Sequence, residues 1–115
     1  MQHVIAAIER FRFRYSNEDE LQEGLAAALE SAGFDVEREV RLSARDRIDL
    51  LVGRVGIECK VAGKPDAVAA QCARYCESDR VDGVVLVTNR ARHLQIAAAA
   101  GGKPVVVVPL LEAGL

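Results

Sequence analysis

Apolar residues recur along the first third of the chain at the spacing of amphipathic helices. Residues 4–9 predict a short helix, and a longer helix is predicted from Ser16, as its N-cap, to about Ala32, with Gly33 as the stop. The apolar stripe of the longer helix repeats at intervals of three and four residues and consists of Leu21, Leu25, Ala28, Leu29 and Ala32. This stripe predicts a helix that packs one face on a core.

Beyond Gly33 the spacing changes to that of β-strands. Apolar residues at even positions alternate with charged residues over 34–42, which is typical of a half-buried strand. Two runs rich in Val, Ile and Leu follow at 47–52 and 55–60, on either side of Gly53-Arg54. Short apolar runs around such a turn predict a β-hairpin.

The second half of the chain continues with alternating helices and strands. We expect a helix over 65–78, a strand over 84–88, an Ala-rich helix over 90–100 and a strand over 105–108. From the long helix onward the predicted order is α-β-β-β-α-β-α-β. The length of the chain suits one domain, residues 1–115. This order predicts an α/β fold with a mixed sheet flanked by helices.

The predicted hairpin carries charged residues among its apolar ones. Side chains alternate between the two faces of a strand, so Glu58 and Lys60 share one face and Cys59 lies on the other. A two-residue loop at Gly53-Arg54 places Asp49 opposite Glu58, whereas a four-residue loop places it opposite Lys60, on the same face. Charges on a buried sheet are costly unless they are paired or bind a metal, so the cluster predicts a functional site.

The long helix offers a third acid to this site. Glu18 lies three residues before Leu21 and seven before Leu25, so it projects onto the buried stripe. It is therefore a candidate site residue. The alternative is that Glu18 is one of several first-turn acids that complement the helix dipole.

The helix after the hairpin places two polar side chains on one face. Gln71 and Tyr75 are four residues apart within a stripe that also contains Val68 and Cys72. A Gln in such a stripe needs hydrogen-bond partners. Gln71 is thus a candidate for orienting a metal-bound water or a phosphate, or alternatively for bonding to a neighbouring strand end.

Composition changes this picture little. No apolar run has the length of a membrane span, and no signal peptide is visible, so we expect no membrane partner. Three cysteines without metal-ligand spacing suit a reducing cytoplasm. The formal net charge of −2 does not exclude a DNA partner, because acids that bind a cation no longer repel phosphate.

These residues together resemble the PD-(D/E)XK nuclease superfamily. The resemblance covers about Ser16 to Val108 and includes Asp49, the Glu58-Cys59-Lys60 triplet and an upstream helical Glu. The Gln71-to-Tyr75 pattern (QxxxY) is similar to that of lambda-type exonucleases and helicase-nuclease domains, and the pair Glu18 and Gln22 resembles virus-type replication-repair nucleases and Holliday junction resolvases. Ile48 stands where many members have Pro.

The resemblance implies a restriction-endonuclease-like core that hydrolyses DNA with Mg²⁺ or Mn²⁺. Hard divalent cations prefer oxygen ligands, so Asp49, Glu58, the main-chain carbonyl of Cys59 and, directly or through water, Glu18 would hold the metal. Lys60 would orient the attacking water or stabilise the transition state, and Gln71 would be a further catalytic residue. The Cys59 side chain is expected to point into the core.

The resemblance also implies DNA as the partner. Lys64 and Arg47 are expected to contact backbone phosphates; the alternative for each is a solvated surface cation. Tyr75 is also expected to contact the nucleic acid. Two alternatives remain open: a branched-DNA or Holliday-junction resolvase acting as a dimer, and an inactive DNA-binding module on the same fold. The small size suggests a homodimer or a larger replication or repair complex.

Overall fold

Helices and strands follow one another in the predicted order, with one exception near the C-terminal end. The structure is a computed structural model and describes residues 1–96, 99–100 and 102–110. Its α-helices are α1 (Gln2–Glu9), α2 (Glu18–Ser31) and α3 (Pro65–Cys76). Its strands are β1 (Glu37–Arg41), β2 (Arg47–Val52), β3 (Val55–Lys60), β4 (Gly83–Thr88), β5 (Ala99–Ala100) and β6 (Lys103–Pro109). The predicted α/β class is confirmed.

All the described strands belong to one mixed sheet. Their order across the sheet is β1-β2-β3-β4-β6-β5. The pairs β1–β2, β2–β3 and β5–β6 are antiparallel, whereas β3–β4 and β4–β6 are parallel. The central strand β4 is buried along its whole length, and β3 beside it is buried at four of its six residues. The hairpin that carries the charged residues thus joins the centre of the sheet to its β1 edge.

Helices cover both faces of the sheet, as predicted. Helices α1 and α2 pack on one face in a cluster, the α1/α2-side cluster, that includes Leu21, Leu25, Leu29, Leu50, Ile57, Cys59, Val85 and Val87. Helix α3 packs on the other face in the α3-side cluster, which includes Ile48, Leu51, Val68, Cys72, Tyr75, Val84 and Leu86. Because a strand alternates its side chains between faces, β4 contributes Val85 and Val87 to the first cluster and Val84 and Leu86 to the second.

The start of α2 differs from the prediction by one residue. Asn17, not Ser16, is the N-cap, and its side chain accepts a hydrogen bond from the Glu20 N–H at 2.8 Å. The Ser16 N–H in turn donates to the Glu20 carboxylate at 2.6 Å. This reciprocal exchange is a capping box displaced by one residue, and it makes Glu18 the first helical residue. The helix ends as predicted, with Gly33 in the left-handed region at φ +96°.

The predicted helix over residues 90–100 is wrong. The segment forms a short 3-10 helix, Ala91–Gln95, and extended backbone at Ile96, and then β5, which pairs with β6; residues 97, 98 and 101 lie outside the described part. Alanine's helix propensity is a weak preference that tertiary contacts override. Here the buried ring of His93 contacts the loop after β3 and holds the short turn in place.

No helix in the described part of the chain has both the length and the apolar character needed to cross a membrane. The three cysteines Cys59, Cys72 and Cys76 are buried and free.

Candidate functional site

The hairpin forms with the two-residue loop. Val52 pairs with Val55 and Leu50 with Ile57, while Gly53 takes the left-handed conformation at φ +60° that the tight turn requires. This register places Asp49 opposite Glu58, and the four-residue alternative is wrong.

Strand β2 is irregular at Asp49. Ile48 packs in the α3-side cluster, whereas Leu50, two residues further on, packs in the α1/α2-side cluster. Regular alternation would put both on one face, so the strand turns over between them. Across the β1–β2 ladder the register places Glu39 opposite Asp49, and Glu39 has φ +51°, which is rare for a residue other than glycine. The distortion thus affects both strands at the level of Asp49.

Side chains replace backbone pairing where β2 and β3 separate. The Asp49 N–H donates to Glu58 Oε1 at 3.1 Å, and the Cys59 N–H donates to Asp49 Oδ2 at 2.9 Å. The paired register stops one step earlier, at Leu50 and Ile57. The two carboxylates therefore occupy positions that carbonyl groups hold in a regular ladder.

Glu18 reaches the same strand end from α2. Its Oε1 accepts a hydrogen bond from the Val61 N–H at 3.0 Å, two residues beyond the N–H that Asp49 accepts. Residues two apart present their backbone groups to the same edge of a strand. Glu18 and Asp49 therefore take successive donors along one edge of β3, and the Cys59 carbonyl faces this edge as well.

Cys59 occupies the core face of β3, as predicted, yet its thiol also contacts the site. The Sγ atom lies 3.2 Å from Asp49 Oδ2 and 3.8 Å from the Glu18 carbonyl oxygen. Burial, and then the charge of Asp49, raise the pKa of this thiol well above its usual range. The thiol is thus a protonated donor that holds Asp49 in place, a contact that the sequence analysis missed because the strand pattern indicates only the face of a side chain.

Glu58 is the most deeply buried acid of the site. It is 3% exposed, and burial, followed by the charge of Asp49, raises its pKa from 4.5 to about 8. Lys60 Nζ lies 3.4 Å from Glu58 Oε2, which confirms that the two side chains share a face. Burial favours loss of the Lys60 proton, but the charges of Glu58, Glu18 and Asp49 outweigh it and raise the pKa of Lys60. Lys60 therefore stays positively charged.

Tyr75 lies beneath this site and not on a binding surface. It is fully buried, and its hydroxyl lies 3.0 Å from Glu58 Oε2 and 3.2 Å from the Arg47 carbonyl oxygen. A side chain without exposed surface has no area with which to contact a nucleic acid. The predicted nucleic-acid contact of Tyr75 is thus corrected: the QxxxY tyrosine positions Glu58 from α3.

The other predicted residues lie around the site without contacting its carboxylates. Gln71 is half-buried one turn before Tyr75 and makes no side-chain hydrogen bond within the described part of the chain. Arg47 is exposed and pairs with Glu39 at 3.6 Å. Lys64 is exposed at the N-cap of α3, four residues beyond Lys60.

One polar residue near the site was not predicted. Asn89 directly follows β4, and its N–H donates to the Lys60 carbonyl oxygen at 3.4 Å. Its buried Oδ1 has no hydrogen-bond partner among residues 1–96, 99–100 and 102–110. A buried acceptor is normally satisfied by a donor, which makes Asn89 a candidate for contact with water or a ligand. An Asn after a strand is too common in loops for the sequence to have indicated this.

Within the described ranges, no group of three or more His, Cys, Asp or Glu side chains is arranged as a metal cage. The site is instead a row of carboxylates along one strand edge, each already bonded to a backbone N–H. Searches for a matching family model, a matching curated protein and a matching solved structure found none. The chemical interpretation of the site therefore depends on its geometry and charge.

Proposed function

We propose that this chain is a divalent-metal-dependent nuclease that hydrolyses phosphodiester bonds in DNA, on a restriction-endonuclease-like core. The observation that carries the proposal is the meeting of Glu18, Asp49, Glu58 and Lys60 at one end of β3, from α2, β2 and β3. Three acids and one ammonium in a half-buried position are costly for a structural element. Their types are those that phosphodiester hydrolysis requires.

The donor chemistry of the site fits Mg²⁺ or Mn²⁺. Both are hard cations that prefer oxygen, and Mg²⁺ is commonly held by one or two carboxylates with water and substrate phosphate, without a complete protein cage. Asp49 and Glu58 would hold the ion, with Glu18 and the Cys59 carbonyl on the same strand edge. When bound, such an ion polarises the phosphate and lowers the pKa of a coordinated water. Burial, and then the charge of Asp49, raise the pKa of Glu58, and a bound cation would oppose both by favouring the ionised carboxylate.

The protein's own groups account for the remaining requirements. Lys60 stays protonated, so it acts as a fixed positive charge toward the phosphate oxygens in the transition state and not as a general base. Tyr75 and the Cys59 thiol restrict the rotation of Glu58 and Asp49. Gln71, half-buried on α3, would hydrogen-bond water or phosphate.

The test is cleavage of labelled DNA by the purified chain. Linear duplex, single-stranded, flap and four-way-junction DNA are incubated with Mg²⁺, Mn²⁺ or EDTA. We expect metal-dependent cleavage, and a loss of about 10²–10³-fold or more in rate for Lys60→Ala and Asp49→Asn.

Matched controls separate the site from the general charge of the protein. Glu18→Gln is compared with Asp19→Asn, because Asp19 is the exposed neighbour of Glu18 in the first turn of α2. Only the first should slow cleavage. Metal-dependent cleavage that persists unchanged in Asp49→Asn would sink the proposal, as would an absence of cleavage of every substrate by a folded wild type.

A further inference from the structure

We propose that Arg90 and Arg92 form a phosphate-binding surface for DNA that extends the site beyond the end of β3. The inference rests on the proposed function in one respect, namely that the ligand of the site is DNA. The sequence analysis singled out neither arginine. In the structure Arg90 is the N-cap of the 3-10 helix Ala91–Gln95, and Arg92 lies within that helix.

The sheet topology places both arginines at the site's end of the molecule. Strands β3 and β4 are parallel neighbours, and Lys60 pairs with Thr88, the last residue of β4. Neighbouring strands are about 4.8 Å apart, so Arg90, two residues beyond Thr88, emerges next to the end of β3. Lys64, the N-cap of α3, follows the end of β3 by four residues.

Both guanidinium groups are held against that loop. Arg90 Nε donates to the Val61 carbonyl oxygen at 2.5 Å, and Arg92 Nε donates to the Gly63 carbonyl oxygen at 3.1 Å. Both side chains are nevertheless exposed. A guanidinium has five N–H donors in a rigid fork, so fixing Nε orients the remaining donors without using them. This is the arrangement that favours bidentate contact with phosphate.

A buried network holds the turn that carries the arginines. The Gly63 carbonyl oxygen can only accept, so His93 Nε2, 2.8 Å away, carries the ring proton and donates to it. Nδ1 is hydrogen-bonded to the Thr88 hydroxyl at 2.7 Å, and the Thr88 oxygen accepts from the Arg90 N–H at 3.0 Å. Since His93 is fully buried, these hydrogen bonds hold the 3-10 helix against the loop after β3.

The segment that carries the two arginines is basic. Between Asp82 and Glu112 the sequence contains no acidic residue, although the chain as a whole has a net charge of −2. Basic side chains clustered on one surface raise the local concentration of polyanions whatever the total charge. Asn89 directly precedes Arg90 and its N–H bonds to the Lys60 carbonyl oxygen. Its buried Oδ1, which has no partner in the described ranges, suits a hydrogen bond from a water.

The test is the salt dependence of DNA binding, measured by fluorescence anisotropy with a labelled linear duplex in EDTA. Each phosphate contact on duplex DNA contributes about 0.9 to the slope of log K against log salt. The variant Arg90→Gln/Arg92→Gln should therefore lose about 1.8 from the slope, which reduces the change in affinity between about 50 and 200 mM salt by about 12-fold. Each single variant should lose about 0.9, and these decide the question if the double variant does not fold.

The matched control is Arg54→Gln/Arg80→Gln, which removes the same charge at the other end of the sheet. Arg54 and Arg80 pair with Asp82 and Glu37, about 20 Å away along the strands. Equal slopes for the two double variants, or no DNA binding by the wild type, would overturn the inference. DNA binding that depends on the two arginines, without cleavage in Mg²⁺, would overturn only the proposed nuclease activity. Cleavage in Mg²⁺, with salt slopes that the Arg90 and Arg92 substitutions leave unchanged, would overturn only the proposed arginine surface.

Discussion

The pH dependence of stability offers the most direct test of how the site is built, because it needs neither metal nor DNA. Glu58 has a pKa of about 8 in the folded protein, through burial and then the charge of Asp49, against an ordinary value of 4.5. Below 4.5 it is protonated in both the folded and the unfolded chain. Between these two pKa values the Glu58 carboxyl is ionised in the unfolded chain and protonated in the folded one. Each pH unit in this range therefore lowers the free energy of unfolding by about 1.36 kcal/mol.

Between pH 4.5 and pH 8 the free energy of unfolding therefore falls by up to about 5 kcal/mol. The fall is complete once the pH has passed the folded-state pKa of Glu58, about 8. This is a large share of the roughly 5–15 kcal/mol that stabilises a typical domain. Glu58→Gln keeps the shape and removes the titration. The variant should therefore lose this part of the pH dependence and be more stable than the wild type in alkaline solution.

Urea unfolding followed by circular dichroism, in EDTA between about pH 5 and pH 9, measures the effect as the difference between wild type and variant. Glu23→Gln is the control, because Glu23 is exposed on α2. The free energy of unfolding of this control should change with pH as that of the wild type does. A Glu58→Gln variant with the same slope as the wild type would show that Glu58 is ionised in the folded protein at neutral pH, and that the burial argument is wrong.

Two further predictions concern packing around the site. Gly56→Ala should destabilise the chain by about 1 kcal/mol in the same assay, because the added methyl overlaps Ile48 Cδ1. Adding Ile48→Val, which removes Cδ1, should restore much of this loss of stability. If the losses of the two single variants simply add in the double variant, the overlap is contradicted. Asp46→Ala should cost about 1–3 kcal/mol, because Asp46, 7% exposed, binds Arg74 Nε at 3.1 Å and ties the loop before β2 to α3; an unchanged urea midpoint would refute this.

The sequence predicted those features that depend on neighbours along the chain. The hairpin around Gly53-Arg54, and the shared face of Glu58 and Lys60, follow from a turn residue and a period of two, whereas the pattern did not decide between a two-residue and a four-residue loop. The end of α2 at Gly33 follows from the left-handed conformation that glycine adopts without strain. In each case the physical cause lies within a few residues, so the local pattern is sufficient.

Sequence patterns failed where a distant contact decided the local structure. The Ala-rich segment has the composition of a helix, but the buried His93 binds the loop at Gly63, thirty residues earlier, and the segment becomes a 3-10 turn and a short strand. Tyr75 stands at the spacing of a helix face that could meet a ligand, yet packing on the sheet buries it against Glu58. Helical periodicity identifies a face but not what covers it.

The sequence by itself thus determined the α/β class, the hairpin and the face that carries Glu58 and Lys60. The tertiary structure decided that β2 turns over at Asp49, that Glu18 bonds to the Val61 N–H across forty-three residues, and that Arg90 and Arg92 lie beside the same strand end. The physical reason is that hydrophobic periodicity encodes which side of an element is buried, whereas the meeting of polar groups depends on how the buried sides pack together.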